Sequence, residues 1–312
     1  MDSSIPETNI KEYLQQFRNN GLVHLYAHPG NAGDAVILAG TLQVFDAIPI
    51  RYQLIHDTQH FNPEGRTVFY SGGGYLVDYY PEATSFIENN HKKFKRLIIL
   101  PHTINANEKM LARLGPNVDI IAREKYTYRF LKENAPNCNV YLAQDMAFML
   151  DTGKLMSYRL PTLAGVLLKK IYWKLTGNPR IKEVPSPGIL LKSKTAELKS
   201  SIYRASHNNR ELYCFRDDPE KTGIPLPKAN LDVSRIYKQE IGYLPLIYYS
   251  ACKMTRLINK YDAIYTNRLH AAIVGALLGK KTYFYPNSYY KNQAVYEHSL
   301  KDHYPSVTWM GQ

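Results

Sequence analysis

Four short segments of the chain combine glycine, carboxylate, arginine and histidine, and each follows an apolar run of strand character. His28-Pro29-Gly30-Asn31-Ala32-Gly33-Asp34 joins LVHLY to a helical pattern. Its glycines would let a ligand approach the backbone, and the helix start would favour an anion. The same residues would also make a tight βα turn in which Asp34 caps the helix. The spacing fits neither GxGxxG nor GxxxxGK[ST], so neither a standard dinucleotide site nor a P-loop is expected. Ser71-Gly72-Gly73-Gly74 follows TVFY. Each glycine in a regular element costs about 0.5–1 kcal/mol relative to alanine, so three in a row belong where backbone bends sharply or touches a ligand. A glycine-rich turn without a ligand satisfies the same composition.

Arg216-Asp217-Asp218 follows ELYCF. An arginine at a strand end can aim a planar fork at a carboxylate or phosphate. Its neighbours also allow a plain Arg–Asp surface pair, which contributes little. Thr266-Asn267-Arg268-Leu269-His270 lies between DAIYT and an apolar helical pattern. Arg268 and His270 are expected in the first helical turn, where cations oppose the helix dipole. Stability is a poor reason for them there. An anion held between them, or a general acid at the sheet edge, is a better one; the alternative is a solvated helix start capped by Thr266.

Such residues meet only if strand ends converge. The first half alternates β-rich runs at 22–26, 51–56, 67–71, 96–100 and 118–122 with helical patterns at 35–46, 85–94 and 123–134. Strands alternating with helices indicate βαβ units and a parallel sheet, and nearly continuous apolar runs suit its buried central strands. The alternation resumes with strands at 211–216, 262–266 and 281–285 and helices at 247–260, 268–279 and 289–300. The expected fold is α/β, with two Rossmann-like domains facing across a cleft: residues 1–160, a basic linker or helix at 161–185, and residues 186–312. All four segments then sit at C-terminal strand ends, where open α/β sheets bind ligands.

Composition narrows the class. The chain of 312 residues is 45% apolar and 21% charged, a globular balance. Cys138, Cys214 and Cys252 are odd in number and lack CxxC spacing, which argues against a disulfide framework or a zinc knuckle. The ten histidines show no HExxH-like spacing, so no metal is expected. The first ten residues, MDSSIPETNI, lack a basic region followed by an apolar core, and no apolar run would span a bilayer. A cytoplasmic protein is expected, at most peripheral to the membrane. The net charge of +12 suggests an anionic partner, and half of it falls in residues 151–182. With no RNP, KH-like or zinc-finger pattern, nucleic acid is not the expected partner. The 26 tyrosines could face sugar rings or simply fill the core.

The ordered set Asn31-Ala32-Gly33-Asp34, Ser71-Gly72-Gly73-Gly74, Arg216-Asp217-Asp218 and Thr266-Asn267-Arg268-Leu269-His270 resembles the polysaccharide pyruvyltransferase family, from about residue 22 to residue 300. Residues 151–210 carry no motif of that family. The resemblance implies a GT-B-like pair of Rossmann-like domains, with a C-terminal helix returning to the first. It also implies transfer of the enolpyruvyl carbons of phosphoenolpyruvate onto two hydroxyls of one sugar, closing a cyclic pyruvate ketal. His270 and Arg268 are then expected to be catalytic. Arg216, Asn267, Arg268, Gly72, Gly73 and Gly74 are expected to hold the donor. Asn31, Gly33, Asp34 and His102 are expected to line the substrate cleft. No cofactor is expected beyond phosphoenolpyruvate as co-substrate, and the acceptor is expected to be a saccharide, lipid-linked. A histidine titrating near neutrality suits proton delivery to the methylene carbon. The competing reading is a GT-B-type glycosyltransferase using a nucleotide sugar.

One further segment stands apart. In residues 161–176, Leu163, Val166, Leu167 and Ile171 alternate with Lys169, Lys170 and Lys174, beside Tyr172 and Trp173. A basic amphipathic helix of this kind can lie in an anionic interface, with its aromatic residues at headgroup level. An interdomain helix packed on the core with solvated lysines has the same pattern.

Overall fold

The computed structural model describes residues 5–19, 21–28, 30–55, 57–77, 80, 84–207, 210–218, 220–239 and 242–311. Among them, seven strands form a first parallel sheet: β1 (Val23–Tyr26), β2 (Tyr52–Leu54), β3 (Thr67–Tyr70), β4 (Gly73–Leu76), β5 (Arg96–Ile104), β6 (Val118–Ala122) and β7 (Asn139–Leu142). Their order is β2-β1-β3-β5-β6-β7, and β4 pairs with the far end of β5. The second parallel sheet has the order β11-β10-β9-β8, from β8 (Glu211–Cys214), β9 (Ala263–Thr266), β10 (Lys281–Phe284) and β11 (Val307–Trp309). The helices are α1 (Ile10–Gln15), α2 (Ala32–Ala47), α3 (Ser85–Asn90), α4 (Glu108–Leu111), α5 (Lys125–Asn134), α6 (Thr152–Met156), α7 (Leu163–Leu175), α8 (Pro187–His207), α9 (Val233–Ile236), α10 (Leu244–Asn259), α11 (Leu269–Leu277) and α12 (Lys291–Val295). A π-helical turn, Tyr296–Leu300, continues α12.

The α/β class and the parallel strands follow the alternation read from the sequence. The differences lie at edges, at glycines and in α8, a helix of 21 residues that the sequence pattern did not mark. β7 (NVYL) and β11 (VTW) are short, partly exposed edge strands, and neither has the apolar run that marks a central strand. The glycine trio is not simply a turn. Gly73 takes φ +148°, a conformation L side chains rarely adopt, and from there the chain rejoins the sheet as β4 beside His102.

Helix α2 is apolar on all sides and buried along its first fourteen residues, as such a helix must be. It packs on the turn Met146–Met149 and on α10 and α11 of the second half. Gly40 makes the first contact possible, since a Cβ there would lie 2.2 Å from the Met146 carbonyl oxygen. One apolar cluster therefore runs through both halves, from Leu25 and Ile37 to Ile258 and Ile273, while a second covers the other face of the first sheet. The chain after β10 also meets the first half. The Tyr290 ring lies 3.9 Å from that of Tyr126, and Tyr304 stacks on Phe148 at 5.6 Å. The contact of α2 with α11 brings their N-termini together, and those N-termini carry Asn31–Asp34 and Arg268–His270.

Candidate active site

The C-terminal ends of strands from both sheets meet at a polar pocket of about 70 Å³, bordered by Asp34, Gly74, Arg123, Arg216, Arg268 and His270 among others. From the first half, Asn31 and Asp34 close a capping box on α2. The Asn31 side chain accepts from Gly33 N at 2.8 Å, and Asp34 accepts from Asn31 N at 2.7 Å. Asp34 also accepts a 2.6 Å hydrogen bond from the Tyr75 hydroxyl. Burial and the adjacent carboxylate keep that phenol well above its ordinary range, so it stays a donor. The capping role anticipated for Asp34 and its place on the pocket wall are thus both present.

His270 stands on the first turn of α11 with Nε2 3.6 Å from Asp145 Oδ2, an ion-pair separation longer than a hydrogen bond. Asp145 follows β7 and also accepts from Arg123 Nη1 at 2.8 Å, while Arg123 Nε donates to Thr103. Burial pushes the Asp145 carboxyl up, but His270, Arg123 and the Ala147 N–H outweigh it and hold the group well below the usual carboxylate range. A permanent carboxylate therefore backs the imidazole. The other ring nitrogen, Nδ1, faces Gly33, where a Cβ would approach it to 2.7 Å. Any side chain at position 33 would crowd that nitrogen.

On the far wall the two arginines carry more partners than their spacing suggested. Arg216 donates to Asp218 from Nε (2.7 Å) and Nη2 (3.1 Å), and to Glu220 from Nη1 (2.6 Å). Arg268 pairs with Asp218 (2.7 Å) and through two nitrogens with Asp232. Asp218 thus bridges both guanidiniums. Lys291, at the start of α12, pairs with Glu220. Burial pushes the Glu220 carboxyl up, but Lys291 and Arg216 overcome that and bring it down to about 2. Burial lowers Lys291 to about 8 despite Glu220. Arg216-Asp217-Asp218 is therefore not a solvated surface pair: Arg216 belongs to a network of Arg216, Arg268 and Lys291 against Glu220, Asp232 and the partly exposed Asp218, beside the buried pair Arg123–Asp145.

Several expected site residues act at one remove. His102 does not reach the pocket: it is fully buried, and its Nε2 accepts from the backbone N–H of Tyr75 at 3.0 Å. Burial, with Arg123 nearby, holds its imidazole well below the ordinary range, so it is a neutral support for β4. Asn267 is likewise buried. Its side chain accepts from Arg216 N at 2.8 Å, and its carbonyl accepts from Asn292 at 2.9 Å, tying β8 to β9 and to α12. Gly72 is wedged against the Pro101 carbonyl, and of the three glycines Gly74 borders the pocket, where a Cβ would lie 2.9 Å from Arg123 Nη2. The sequence reading missed Arg123, Asp145, Asp232 and Lys291. Arg123 could have been found, since it follows the VDIIA strand as Arg216 follows ELYC. Lys291 carries no local signal. Among the described residues no three histidines, cysteines or carboxylates are grouped to hold a metal ion.

Beside this pocket lies a cavity of about 1,030 Å³, walled by Tyr26, Ile55, Ile189, Lys192, Asp232 and Lys238 among others. Two of its wall residues adjoin the small pocket: a Cβ at Gly30 would lie 2.2 Å from Asp34, and Asp232 accepts from Arg268 at 3.0 Å. Fold and site together define an α/β enzyme whose polar centre sits where two parallel sheets converge. Residues 31–289 match the family described as polysaccharide pyruvyl transferase, and the chain belongs to that family. It is 28% identical over 305 residues to EpsO of Bacillus subtilis (strain 168), which carries the name of a pyruvyl transferase; the match covers 89% of this chain and 84% of EpsO. The fold is similar to the crystal structure of a functionally uncharacterised protein of Klebsiella pneumoniae subsp. pneumoniae, with TM-score 0.72, 27% identity, and coverage of 98% of this chain and 100% of that one. The chain is thus an enzyme of pyruvyl transfer to polysaccharide.

Proposed function

We propose that phosphoenolpyruvate is the donor, bound in the small pocket, and that the product is a cyclic pyruvate ketal on two hydroxyls of one sugar. The observation that carries this reading is the convergence of four buried cations around a histidine backed by a carboxylate. Phosphoenolpyruvate has a carboxylate and a phosphate, which call for two or more cationic groups with directed donors. The space between Arg216 and Arg268 already holds a carboxylate, that of Asp218, so the donor's carboxylate fits there chemically once Asp218 yields it. The small volume of the pocket agrees, because the protein's own acidic groups fill it.

In this reading His270 gives a proton to C3 of the enol, forming the methyl group and leaving C2 cation-like. A sugar hydroxyl bonds to C2 and loses its proton. The C2–O bond to phosphate then breaks, and a second hydroxyl of the same sugar closes the ring. Of the two hydroxyl protons released, one replaces the proton given to C3 and the other leaves on phosphate. The acceptor saccharide occupies the larger cavity, between the two halves acting as a GT-B-like pair. The reaction needs no oxidant and no further group.

The test is incubation with phosphoenolpyruvate and lipid-linked oligosaccharide, reading phosphate release and the mass of the saccharide. Stoichiometric phosphate with a pyruvate-sized mass gain is expected. Transfer from a UDP-sugar without consumption of phosphoenolpyruvate would overturn the donor. Replacing either Arg216 or Arg268 with lysine keeps the charge but loses the fork, and is expected to raise the donor KM about tenfold or more.

A further inference from the structure

Helices α7 and α8 carry an apolar surface that this chain does not cover. Among the described residues, thirteen large hydrophobic side chains are exposed, and eight of them lie on these two helices. On α7, Leu168, Ile171, Tyr172 and Leu175 follow helical spacing i, i+3, i+4, i+7 and so share one face. Leu168 is 69% exposed and Leu175 82%. On α8, which packs against α7, Leu191, Leu198 and Ile202 are exposed as well. Scattered exposed leucines need no explanation, but a contiguous stripe does.

The stripe is not the one the sequence pattern suggested. Val166 and Trp173 point inward and pack with Val184, Leu190 and Tyr249, and Lys169 lies over the buried Trp173 ring at 4.4 Å. Trp173 therefore anchors the helix to the protein and is not available at headgroup level. Core packing is satisfied by that inward side, which leaves the outward side without a role in the fold.

Basic groups flank the outward side. Lys170 and Lys174 on α7 and Lys194 and Lys199 on α8 form no ion pair among the described residues. An apolar stripe flanked by unpaired lysines complements an anionic lipid surface, with leucines among the acyl chains and ammonium groups among the phosphates. A second copy of the chain is a poorer fit, because a two-fold contact would bring the same lysines together. Nucleic acid would leave the leucines and isoleucines without partners. No helix among the described residues is long and apolar enough to cross a membrane, so the helices would lie on the surface. We propose that α7 and α8 dock this enzyme onto an anionic bilayer.

Docking would also place the larger cavity. The first turns of α8 supply Ile189 and Lys192 to its wall, while Leu191, Leu198 and Ile202 face outward. One helix thus borders both the cavity and the bilayer, and a sugar carried on a membrane lipid would reach the cavity without leaving the interface. This last step rests on the cavity being the acceptor site; the docking itself does not.

The experiment is flotation of the full chain with phosphatidylcholine vesicles, with and without phosphatidylglycerol, at low and high salt. Binding is expected with phosphatidylglycerol only, and weaker at high salt. The variant K170Q/K174Q/K199Q should bind on the order of 100-fold less, given about fivefold per lysine. The variant L168Q/I171Q/L175Q should lose flotation at every salt concentration while melting like the parent. Absence of flotation by the parent, or flotation untouched by both variants, would overturn the proposal. So would a parent dimer that the leucine variant dissociates in the absence of lipid. Phosphate release from phosphoenolpyruvate with a detergent-solubilised acceptor is read separately, so failure of the docking and failure of the donor assignment give different results.

Discussion

Around the small pocket, charged side chains are buried; along α7 and α8, apolar side chains are exposed. Both arrangements oppose ordinary solvation. Burying an ion costs several kcal/mol unless partners compensate it, and exposing apolar surface forgoes about 25 cal/mol per Å². The difference is where compensation comes from. Arg123 meets Asp145, Arg216 meets Asp218 and Glu220, and Arg268 meets Asp218 and Asp232, all within the chain. Leu168, Ile171 and Leu175 meet nothing in the chain that would cover them. A complete internal network marks a site assembled from the chain alone, in which an incoming anion has to replace Asp218. An uncovered face marks one completed from outside.

Four perturbations sharpen that contrast, beginning with the largest. His270→Ala should lower kcat about 10²–10⁴-fold, the usual effect of losing a general acid, with the fold retained because the ring sits at the pocket edge. A folded variant with near-native turnover would remove His270 from the chemistry. Asp145→Leu should destabilise the protein by about 3–5 kcal/mol, because it strands the Arg123 guanidinium without its partner. In denaturant unfolding, the double variant R123M/D145L should recover part of that loss. If both variants unfold like the parent, the network is not self-compensating.

Next comes a pH effect at Lys291. Its ammonium, lowered by burial to about 8, is charged below that pH and neutral above it. The pairing with Glu220 and the pocket's fourth cation are then lost on the alkaline side, and kcat/KM for phosphoenolpyruvate should fall as pH rises through about 8. The unfolded chain keeps this proton up to about 10.5. Between the two values the unfolded state binds more protons, so the contribution of Lys291 to stability rises with pH, and unfolding would not account for the fall. In Lys291→Arg the guanidinium stays charged and the alkaline limb should move upward; a limb that stays in place would assign it to another group. The smallest effect belongs to the other region. Exchanging Leu168, Ile171 and Leu175 for glutamine should change stability by less than about 0.5 kcal/mol each, whereas a drop of several kcal/mol on thermal unfolding would mean that the face is packed after all.

The sequence by itself determined the α/β class, most central strands and the four segments at strand ends. These are local properties. A buried parallel strand needs a continuous apolar run, a sharp turn beside a ligand needs glycine, and both are written in consecutive residues. What the sequence left open was which charge answers which. The pattern around Arg216 allowed a donor contact or a surface pair, and only the tertiary structure placed Asp218 between Arg216 and Arg268, Asp145 behind His270, and Lys291 on Glu220. It also turned His102 and Asn267 away from the pocket and gave α7 an outward stripe different from the inward one. Pairing of charges and the choice of which helix face is covered depend on residues distant in the chain. Neither solvation cost can be assigned to a residue until the fold has decided what stands next to it.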